Sequence, residues 1–214
     1  MLFRSAQMKR LAILGASGHG KVVADAAALC GWSHIDFFDD AWPERTVCGV
    51  WPVVGGSAQL LGAVSAYEGV IVAIGNNAVR RTKQQLLEKG GAIMATIIHP
   101  AAVVSEHVRL GAGSVVFATA VINPFCEIGE GAILNTGCSV DHDCCLGAFV
   151  HVSPGARLAG QVHVGDASWI GIGASVRQLI SIGAYVTVGA GAAVVAPVAD
   201  SLTVVGVPAR AVRR

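Results

Sequence analysis

The densest group of potentially reactive side chains lies between residues 135 and 151. It contains Asp141, His142 and Asp143, with Asn135 before them and His151 after them. A neutral imidazole near pH 7 is suited to remove a proton from an amine or a hydroxyl that attacks an acyl group. A neighbouring carboxylate fixes the imidazole tautomer and favours the imidazolium that forms. The residue types therefore predict general-base chemistry at His142, with Asp143 or Asp141 as its partner.

The elements that must position these residues are set by a six-residue repeat. Every sixth residue from Ile98 to Val194 is aliphatic, and the residue four places later is nearly always small. A period of six fits neither an α-helix, at 3.6, nor a simple strand, at 2. It is typical of a β-solenoid, in which three short strands form one triangular coil of eighteen residues. Glycine often follows the aliphatic residue, which indicates a tight corner.

The repeat predicts where the reactive residues lie on this prism. Gly160 follows His142 by one complete coil, so its backbone is expected almost directly above the imidazole, and its N–H can donate to an acyl oxygen that becomes negative. His151 follows His142 by half a coil and belongs to a different flank. The two histidines can therefore act together only across a subunit interface. Flat prism faces favour side-by-side packing that closes around a three-fold axis, which predicts a homotrimer with active sites between subunits.

The preceding residues, 11–97, alternate apolar strand-like segments with helical ones. Strands are predicted at 11–14, 35–38, 70–74 and 93–97, helices at 21–30 and 78–89, and an irregular stretch between Asp40 and Val70. This order predicts a small parallel sheet, whose ligand crevice lies beyond the carboxyl ends of the strands. Three such ends are the candidate binding loops, and they carry Gly15 to Gly20, Asp39-Asp40 and Gly75-Asn76-Asn77.

The glycine turn Gly15-Ala-Ser-Gly-His-Gly20 precedes a helix, where backbone N–H groups and the helix dipole favour an anion. Its order, GxxGxG, differs from the dinucleotide pattern GxGxxG, and the unit is short for a full dinucleotide fold. We interpret it as a nucleotide-diphosphate site, with NAD binding and a structural turn as alternatives. Asp39 and Asp40 are candidates to bond a base or a sugar hydroxyl; capping or surface roles are the alternative for them, as a turn role is for His19.

Composition excludes several classes of function. A net charge of +1 gives no reason to expect nucleic acid or a membrane surface as a partner. The uncharged segment Gln178 to Ala199 is long enough to span a bilayer, but the repeat continues through it, so no membrane insertion is expected. Six cysteines without small-domain spacing indicate reduced packing residues and a cytoplasmic protein. No metal is expected, because His142, Asp143 and Cys144 occupy different phases of the repeat and diverge.

These features together resemble a known family. The hexapeptide pattern resembles the left-handed parallel β-helix acyltransferases, and its combination with the glycine turn resembles the sialic-acid O-acetyltransferase and sugar-acetyltransferase family. The similarity is closer to the bacillosamine-pathway N-acetyltransferases, which acetylate the 4-amino group of a UDP-linked 4-amino-4,6-dideoxy sugar. The matching segments keep the same order over nearly the whole chain: the glycine turn, Phe38-Asp39-Asp40, Ala73 to Asn77 with Arg80, Leu134-Asn135-Thr136, His142 with an acid after it, His151-Val152-Ser153, Ala159-Gly160 and Val205 to Arg210.

The resemblance implies a Rossmann-like domain that binds a nucleotide-sugar over residues 8–97 and a left-handed β-helix acyltransferase domain over residues 98–214. It implies that His142 is the general base and that Asp143 assists it. It also implies two sets of contacts: acetyl-CoA with His151, Gly160, Ile172 and Ala190, and the nucleotide-sugar with Gly18, His19, Asp39, Asp40, Asn76, Arg80 and Asn135.

The chain departs from the family pattern at two places. Asp143 stands where a bacillosamine-type enzyme can have Glu, which shortens the reach of the carboxylate. Ala190 stands where Gly is frequent, and Arg177-Gln178 replaces a frequent Pro turn, both in the expected acetyl-CoA groove.

The leading interpretation is an acetyl-CoA-dependent N-acetyltransferase in which the amine of a nucleotide-linked sugar, with UDP as the expected nucleotide, attacks the thioester directly. One alternative is O-acetylation of sialic acid or a related sugar hydroxyl on the same fold. A second alternative, from another class, is a non-catalytic trimeric scaffold.

Overall fold

A computed structural model describes residues 9–212 as a small α/β unit followed by a prism of stacked coils. Residue 8, where the first predicted domain begins, and residues 213–214, where the second ends, lie outside the described residues.

The α/β unit is built around one buried strand. Its elements are β1 (Arg10–Leu14), α1 (Gly18–Leu29), β2 (His34–Phe38), β3 (Val47–Cys48), β4 (Trp51–Gly55), α2 (Ser57–Ala63), a 3-10 helix (Val64–Ala66), β5 (Gly69–Val72) and α3 (Asn77–Lys89). The sheet order is β3-β4-β2-β1-β5, and every pairing is parallel except that of β3 with β4. Because β1 has neighbours on both sides, its residues from Leu11 to Leu14 are all buried, as the apolar run predicts.

The prediction for the middle of this unit was wrong. The stretch expected to be irregular forms the β3–β4 hairpin and α2, and β4 rather than 93–97 completes the sheet. Met94 makes only an isolated bridge to Val70, and Ile97–Ile98 pairs within the prism. In β4, Trp51-Pro-Val-Val-Gly, only Val53 and Gly55 are buried. Pro52 is tolerated because the hairpin lies at the sheet edge.

Residues 97–205 wind into a left-handed β-helix of three faces, which confirms the predicted fold class. Strands eighteen residues apart pair in parallel, as Leu134 does with Val152 and Val140 with Leu158. The aliphatic residue of each strand lies in the interior, and the small residues, including Cys126, fill the space beside it.

Each face is a stack of two-residue strands. The first face contains Ile97–Ile98, Val115–Val116, Ile133–Leu134, His151–Val152, Trp169–Ile170 and Thr187–Val188, followed by Thr203–Val205 and the antiparallel Arg210–Ala211. The second face contains Val103–Val104, Val121–Ile122, Ser139–Val140, Arg157–Leu158, Ser175–Val176 and Ala193–Val194. The third face contains Arg109–Leu110, Glu127–Ile128, Cys145–Leu146, His163–Val164 and Ser181–Ile182.

The glycines that follow the aliphatic residues do not form the corners, contrary to the prediction from the sequence. Positive φ angles occur three residues after the interior aliphatic residue, and non-glycine residues such as Thr119 (φ 59°) and Asp143 (φ 58°) adopt them. Glycines directly after the aliphatic residue serve close stacking instead. A Cβ on Gly129 would lie 2.6 Å from the amide nitrogen of Ala148 in the next coil. These glycines therefore let successive coils approach rather than form the turn.

A buried arginine joins the α/β unit to the β-helix. Arg80 on α3 is 1% exposed, and its Nε donates to the carbonyl of Gly131 (2.8 Å). Its Nη2 donates to the carbonyl of Phe149 (2.9 Å) and to Asn77 Oδ1 (2.8 Å), and its Nη1 donates to the carbonyl of Ile74 (2.9 Å). Within residues 9–212, no carboxylate lies at ion-pair distance from this guanidinium, and burial lowers the pKa of Arg80 to about 9. Neutral carbonyl oxygens thus solvate the cation and fix the two units together.

Candidate active site

His142 lies at the corner that follows the second face, two residues after the interior Val140. Its Nδ1 lies 2.7 Å from Asp143 Oδ2, so the shorter acid at this position still reaches the ring. This hydrogen bond raises the pKa of His142 above its ordinary value. Asp141 holds the loop instead, since its Oδ1 accepts from the His142 amide and from Asn123 Nδ2, both at 3.0 Å. With Nδ1 engaged, Nε2 is the nitrogen available to take a proton.

Gly160 lies against the His142 ring, as the one-coil spacing predicts. A Cβ at position 160 would be 2.7 Å from both Cε1 and Nε2 of the imidazole, so any side chain there would displace the ring. Among the described residues, the Gly160 N–H has no hydrogen-bond partner. A backbone donor thus lies beside the available ring nitrogen, in the arrangement that stabilises a developing oxyanion next to a general base.

Two other histidines, His19 and His151, lie in the seam between the α/β unit and the first face. His151 is 6% exposed, stacks on Trp169 with ring centroids 4.9 Å apart, and has Nε2 3.3 Å from Asn135 Nδ2. Burial, and secondly the charge of Arg80, lowers the pKa of His151 to about 3 and that of His19 to about 4. Both imidazoles are therefore neutral at pH 7. His19 Nε2 and His151 Nδ1 are buried without a hydrogen-bond partner among the described residues.

An apolar groove of about 420 Å³ extends up the first face above His151. Three of the four residues predicted to contact acetyl-CoA line it, namely His151, Ile172 and Ala190. The fourth, Gly160, lies with His142 on another edge of the prism. Within one chain, the predicted cofactor residues therefore form two separate groups.

The three predicted strand-end loops meet at one cavity of about 290 Å³. Gly15, Asp39, Asp40 and Gly75 line it together with Lys83 of α3. The Lys83 ammonium lies 2.7 Å from Asp40 Oδ2, and this hydrogen bond, with others from Ser57, lowers the pKa of Asp40 to about 2. Asp39 is engaged by the protein as well, because its Oδ2 accepts from the Ala16 amide (2.7 Å).

A second polar cavity, about 390 Å³, adjoins the N-terminus of α1. It is lined by the turn residues Ser17 and Gly18, by Lys21 and Arg45, and by Gly49 in the β3–β4 turn. Two cations beside a helix N-terminus can hold an anion such as a phosphate group. Of the residues predicted to contact the nucleotide-sugar, Gly18 is the one that lines this cavity.

Arg80 differs from the other residues that the resemblance implies for substrate. Its nitrogens are engaged by protein acceptors and it is almost fully buried, so it holds the seam together, and its contact with the nucleotide-sugar stays a prediction. Asn76 caps α3, with Oδ1 accepting from the Val79 amide (3.0 Å), and lines a smaller cavity with Trp169. Asn135 is half-buried beside His151.

The sequence analysis did not identify four charged or aromatic residues that line these cavities: Lys21, Arg45, Lys83 and Trp169. The sequence evidence for them differs. Lys83 lies one helical turn after Val79 on the predicted α3, so its position facing the strand ends could have been inferred. Lys21 follows the glycine turn directly. Arg45 belongs to the stretch read as irregular, and Trp169 occupies an outward position of the repeat, where the pattern carries no information.

Within the described part of the chain, no group of three or more His, Cys, Asp or Glu side chains is arranged to hold a metal ion. No helix between residues 9 and 212 combines the length and apolarity needed to cross a membrane.

Known proteins share this architecture along almost the whole chain. Residues 10–87 match the family model described as the PglD N-terminal domain. The acetyltransferase domain of PglB from Neisseria gonorrhoeae FA1090, solved with acetyl coenzyme A, is 41% identical, with 96% of this chain and 100% of that chain covered and a TM-score of 0.92. PerB from Caulobacter crescentus, solved with CoA and GDP-perosamine, is 38% identical, with 97% and 99% covered and a TM-score of 0.91.

A curated relative matches over a shorter length. The UDP-N-acetylbacillosamine N-acetyltransferase of Bacillus subtilis (strain 168) is 35% identical over 121 residues, which is 52% of this chain and 52% of that protein. The chain thus spans about half the length, or less, of the curated relatives it matches.

The β-helix with its corner histidine and the attached α/β unit defines a hexapeptide-repeat acyltransferase. The chain belongs to the family of the PglB and PerB acetyltransferases, which confirms the resemblance to bacillosamine-type acetyltransferases found in the sequence.

Proposed function

We propose that this protein transfers the acetyl group of acetyl-CoA to the 4-amino group of a nucleotide-linked, most simply UDP-linked, 4-amino-4,6-dideoxy sugar. The close approach of the His142 ring to Gly160, which leaves no room for a Cβ at position 160, is the observation that carries the proposal. It brings a proton acceptor and an oxyanion donor side by side without any covalent nucleophile. Direct attack of the sugar amine on the thioester needs only these two groups.

His142 acts as the general base in this proposal. Its Nε2 accepts a proton from the amine as the amine attacks the thioester carbon, and the Gly160 N–H donates to the carbonyl oxygen as it becomes negative. The carbon–sulfur bond then breaks, the proton passes to the departing thiolate, and the amide product remains. Asp143, 2.7 Å from Nδ1, holds the ring and stabilises the imidazolium in between.

Three cavities supply binding for the rest of the substrates. The apolar lining of the first-face groove suits the pantetheine arm of acetyl-CoA, with His151 at its lower end. The nucleotide diphosphate binds at the glycine turn, where Lys21 and Arg45 offer positive charge. The paired acids at the end of β2 accept hydrogen bonds from the base or the sugar.

A homotrimer with sites between subunits completes the arrangement. Gly160 and the first-face groove lie on different edges of one prism, so a neighbouring copy is required to bring them to one acetyl-CoA. The corner that bears His142 also exposes apolar surface, since Phe125 one coil below Asp143 is 61% exposed and Leu179 one coil above Gln161 is 69% exposed. Exposed apolar surface around a catalytic edge supports burial against a second copy.

The test is release of free thiol from acetyl-CoA against UDP-, GDP- and dTDP-linked 4-amino sugars. We expect thiol release with one nucleotide series and an acetamido product by mass spectrometry. Free sialic acid is the control that addresses O-acetylation. Turnover only with the free sugar, or no thiol release with any acceptor, would contradict the proposal.

A GDP-linked amino sugar is the second candidate. The likeness to PerB, which was solved with GDP-perosamine, extends over 97% of the chain and favours this alternative. The same panel separates the two, because the preferred nucleotide should also protect the α/β unit most strongly from proteolysis.

A further inference from the structure

Trp169 lines two neighbouring cavities. It starts a first-face strand and pairs with His151 in the coil below and with Thr187 in the coil above. On one side it lines the apolar groove with Ile172 and Ala190, and on the other it lines a smaller cavity of about 200 Å³ next to Asn76 and α3. The indole is therefore the wall at the lower end of the groove.

This wall is held rigidly. The indole ring stacks on His151 with an interplanar angle of 18°, and its Nε1 donates to Ser153 Oγ at 2.6 Å. The preceding backbone is fixed from the α/β unit, because Asn77 Nδ2 donates to the carbonyls of Ala167 (3.0 Å) and Ser168 (3.2 Å). Rotation of the ring would break the stack and the hydrogen bond together, so the wall does not yield easily to a longer ligand.

We propose that Trp169 is a specificity-determining residue that restricts the acyl donor to short-chain acyl-CoA. The inference rests on the proposed function, in which the pantetheine arm occupies the groove past Ile172 and Ala190 with His151 at its lower end. We place the acyl group at that lower end, where a neighbouring copy would bring His142 and Gly160. In that orientation, each methylene group added to the acyl chain would extend the chain towards the indole of Trp169. The smaller cavity behind it is the space that a longer chain needs and that the ring closes off.

Removal of the ring should join the two cavities. In Trp169→Ala, we expect the ratio of kcat/KM for butyryl-CoA or hexanoyl-CoA to that for acetyl-CoA to rise by on the order of tenfold or more, the range by which a pocket discriminates methylene groups. Trp169→Phe keeps an aromatic wall and should keep the ratio within about threefold of the original protein. Trp169→Leu, which preserves apolar packing, serves if the alanine variant does not fold.

Calorimetric titration with acetyl-CoA and hexanoyl-CoA provides a readout that needs no sugar acceptor. A gain in relative hexanoyl-CoA affinity in the alanine or leucine variant supports the inference. An unchanged ratio, or an equal loss for both donors, overturns it. Should the original protein bind acyl-CoA but acetylate no nucleotide-sugar, the proposed function fails while the titration still decides the role of Trp169.

Discussion

The corner at His142 and the seam at His151 use the same side chain in opposite surroundings. At the corner, the exposed imidazole of His142 is hydrogen-bonded to Asp143, and this bond raises the pKa of His142. In the seam, burial beside Arg80, a cation without a carboxylate partner in residues 9–212, lowers the pKa of His151 to about 3. His151, nine residues further along the same repeat, therefore stays neutral at pH 7, whereas the exposed His142 has a raised pKa. Solvent access and the sign of the nearest charge decide between the two roles.

The largest expected effect concerns the seam. Arg80→Met leaves at least three buried carbonyl oxygens without donors, each at a cost of about 1–3 kcal/mol. We expect the free energy of unfolding to fall by about 3 kcal/mol or more in urea titration. Arg81→Met is the matched control, because its pairing with Asp166 is partly exposed and contributes about 1 kcal/mol at most. Equal losses in the two variants would refute the structural role of Arg80.

The second effect concerns the corner. His142→Ala removes the proposed base, and we expect kcat to fall by about 10²-fold or more while the oligomer stays intact by light scattering. His163→Ala, an exposed histidine on the third face, is the control and should retain full turnover. A loss below tenfold in His142→Ala would count against the base assignment. Unchanged activity would favour the scaffold alternative.

The third effect is a loss of folding stability at low pH, which we expect from the seam histidines. The folded-state pKa values of His19 and His151, about 4 and about 3, lie below the ordinary value of 6.5. Their stabilising contribution is therefore complete above pH 6.5 and is lost as the pH falls towards 4, by up to about 1.4 kcal/mol per pH unit for each histidine.

His151→Phe keeps the stack on Trp169 but cannot titrate. Denaturant titrations between pH 7 and pH 4 should give a shallower loss of stability for this variant. Parallel curves for the two proteins would show that His151 does not stay neutral in the seam.

The smallest effect concerns the partner of His142. The base must be neutral to act, so kcat/KM should rise with pH through a raised pKa. Asp143→Asn removes the hydrogen bond that raises it, and the acidic limb of the profile should move to lower pH. Since the ring is exposed, solvent screening keeps this shift modest. A limb that stays in place, or moves to higher pH, would assign the support of His142 to another group.

The β-helix was predictable because every strand must place one aliphatic residue in the narrow interior, and this requirement repeats every six residues. The stacking of Gly160 on His142 followed from the same register. The β3–β4 hairpin was not predicted because β4, with Pro52 and a single buried valine, has little apolar periodicity and β3 has only two residues. The role of Arg80 was not predictable from its neighbours in sequence, because its partners Gly131 and Phe149 are fifty-one and sixty-nine residues away.

The coil length of eighteen residues also constrains how such a chain can change in length. Each strand of the prism pairs only with strands one coil above or below, so duplication of a whole coil near Val194 would lengthen the prism and leave the His142 edge untouched. Loss of a single six-residue unit between residues 142 and 160 would instead rotate every later strand onto the next face. The Gly160 amide would then leave the imidazole, and the fold would survive while its chemistry did not. A change in length therefore preserves the site only where it keeps His142 and Gly160 one coil apart.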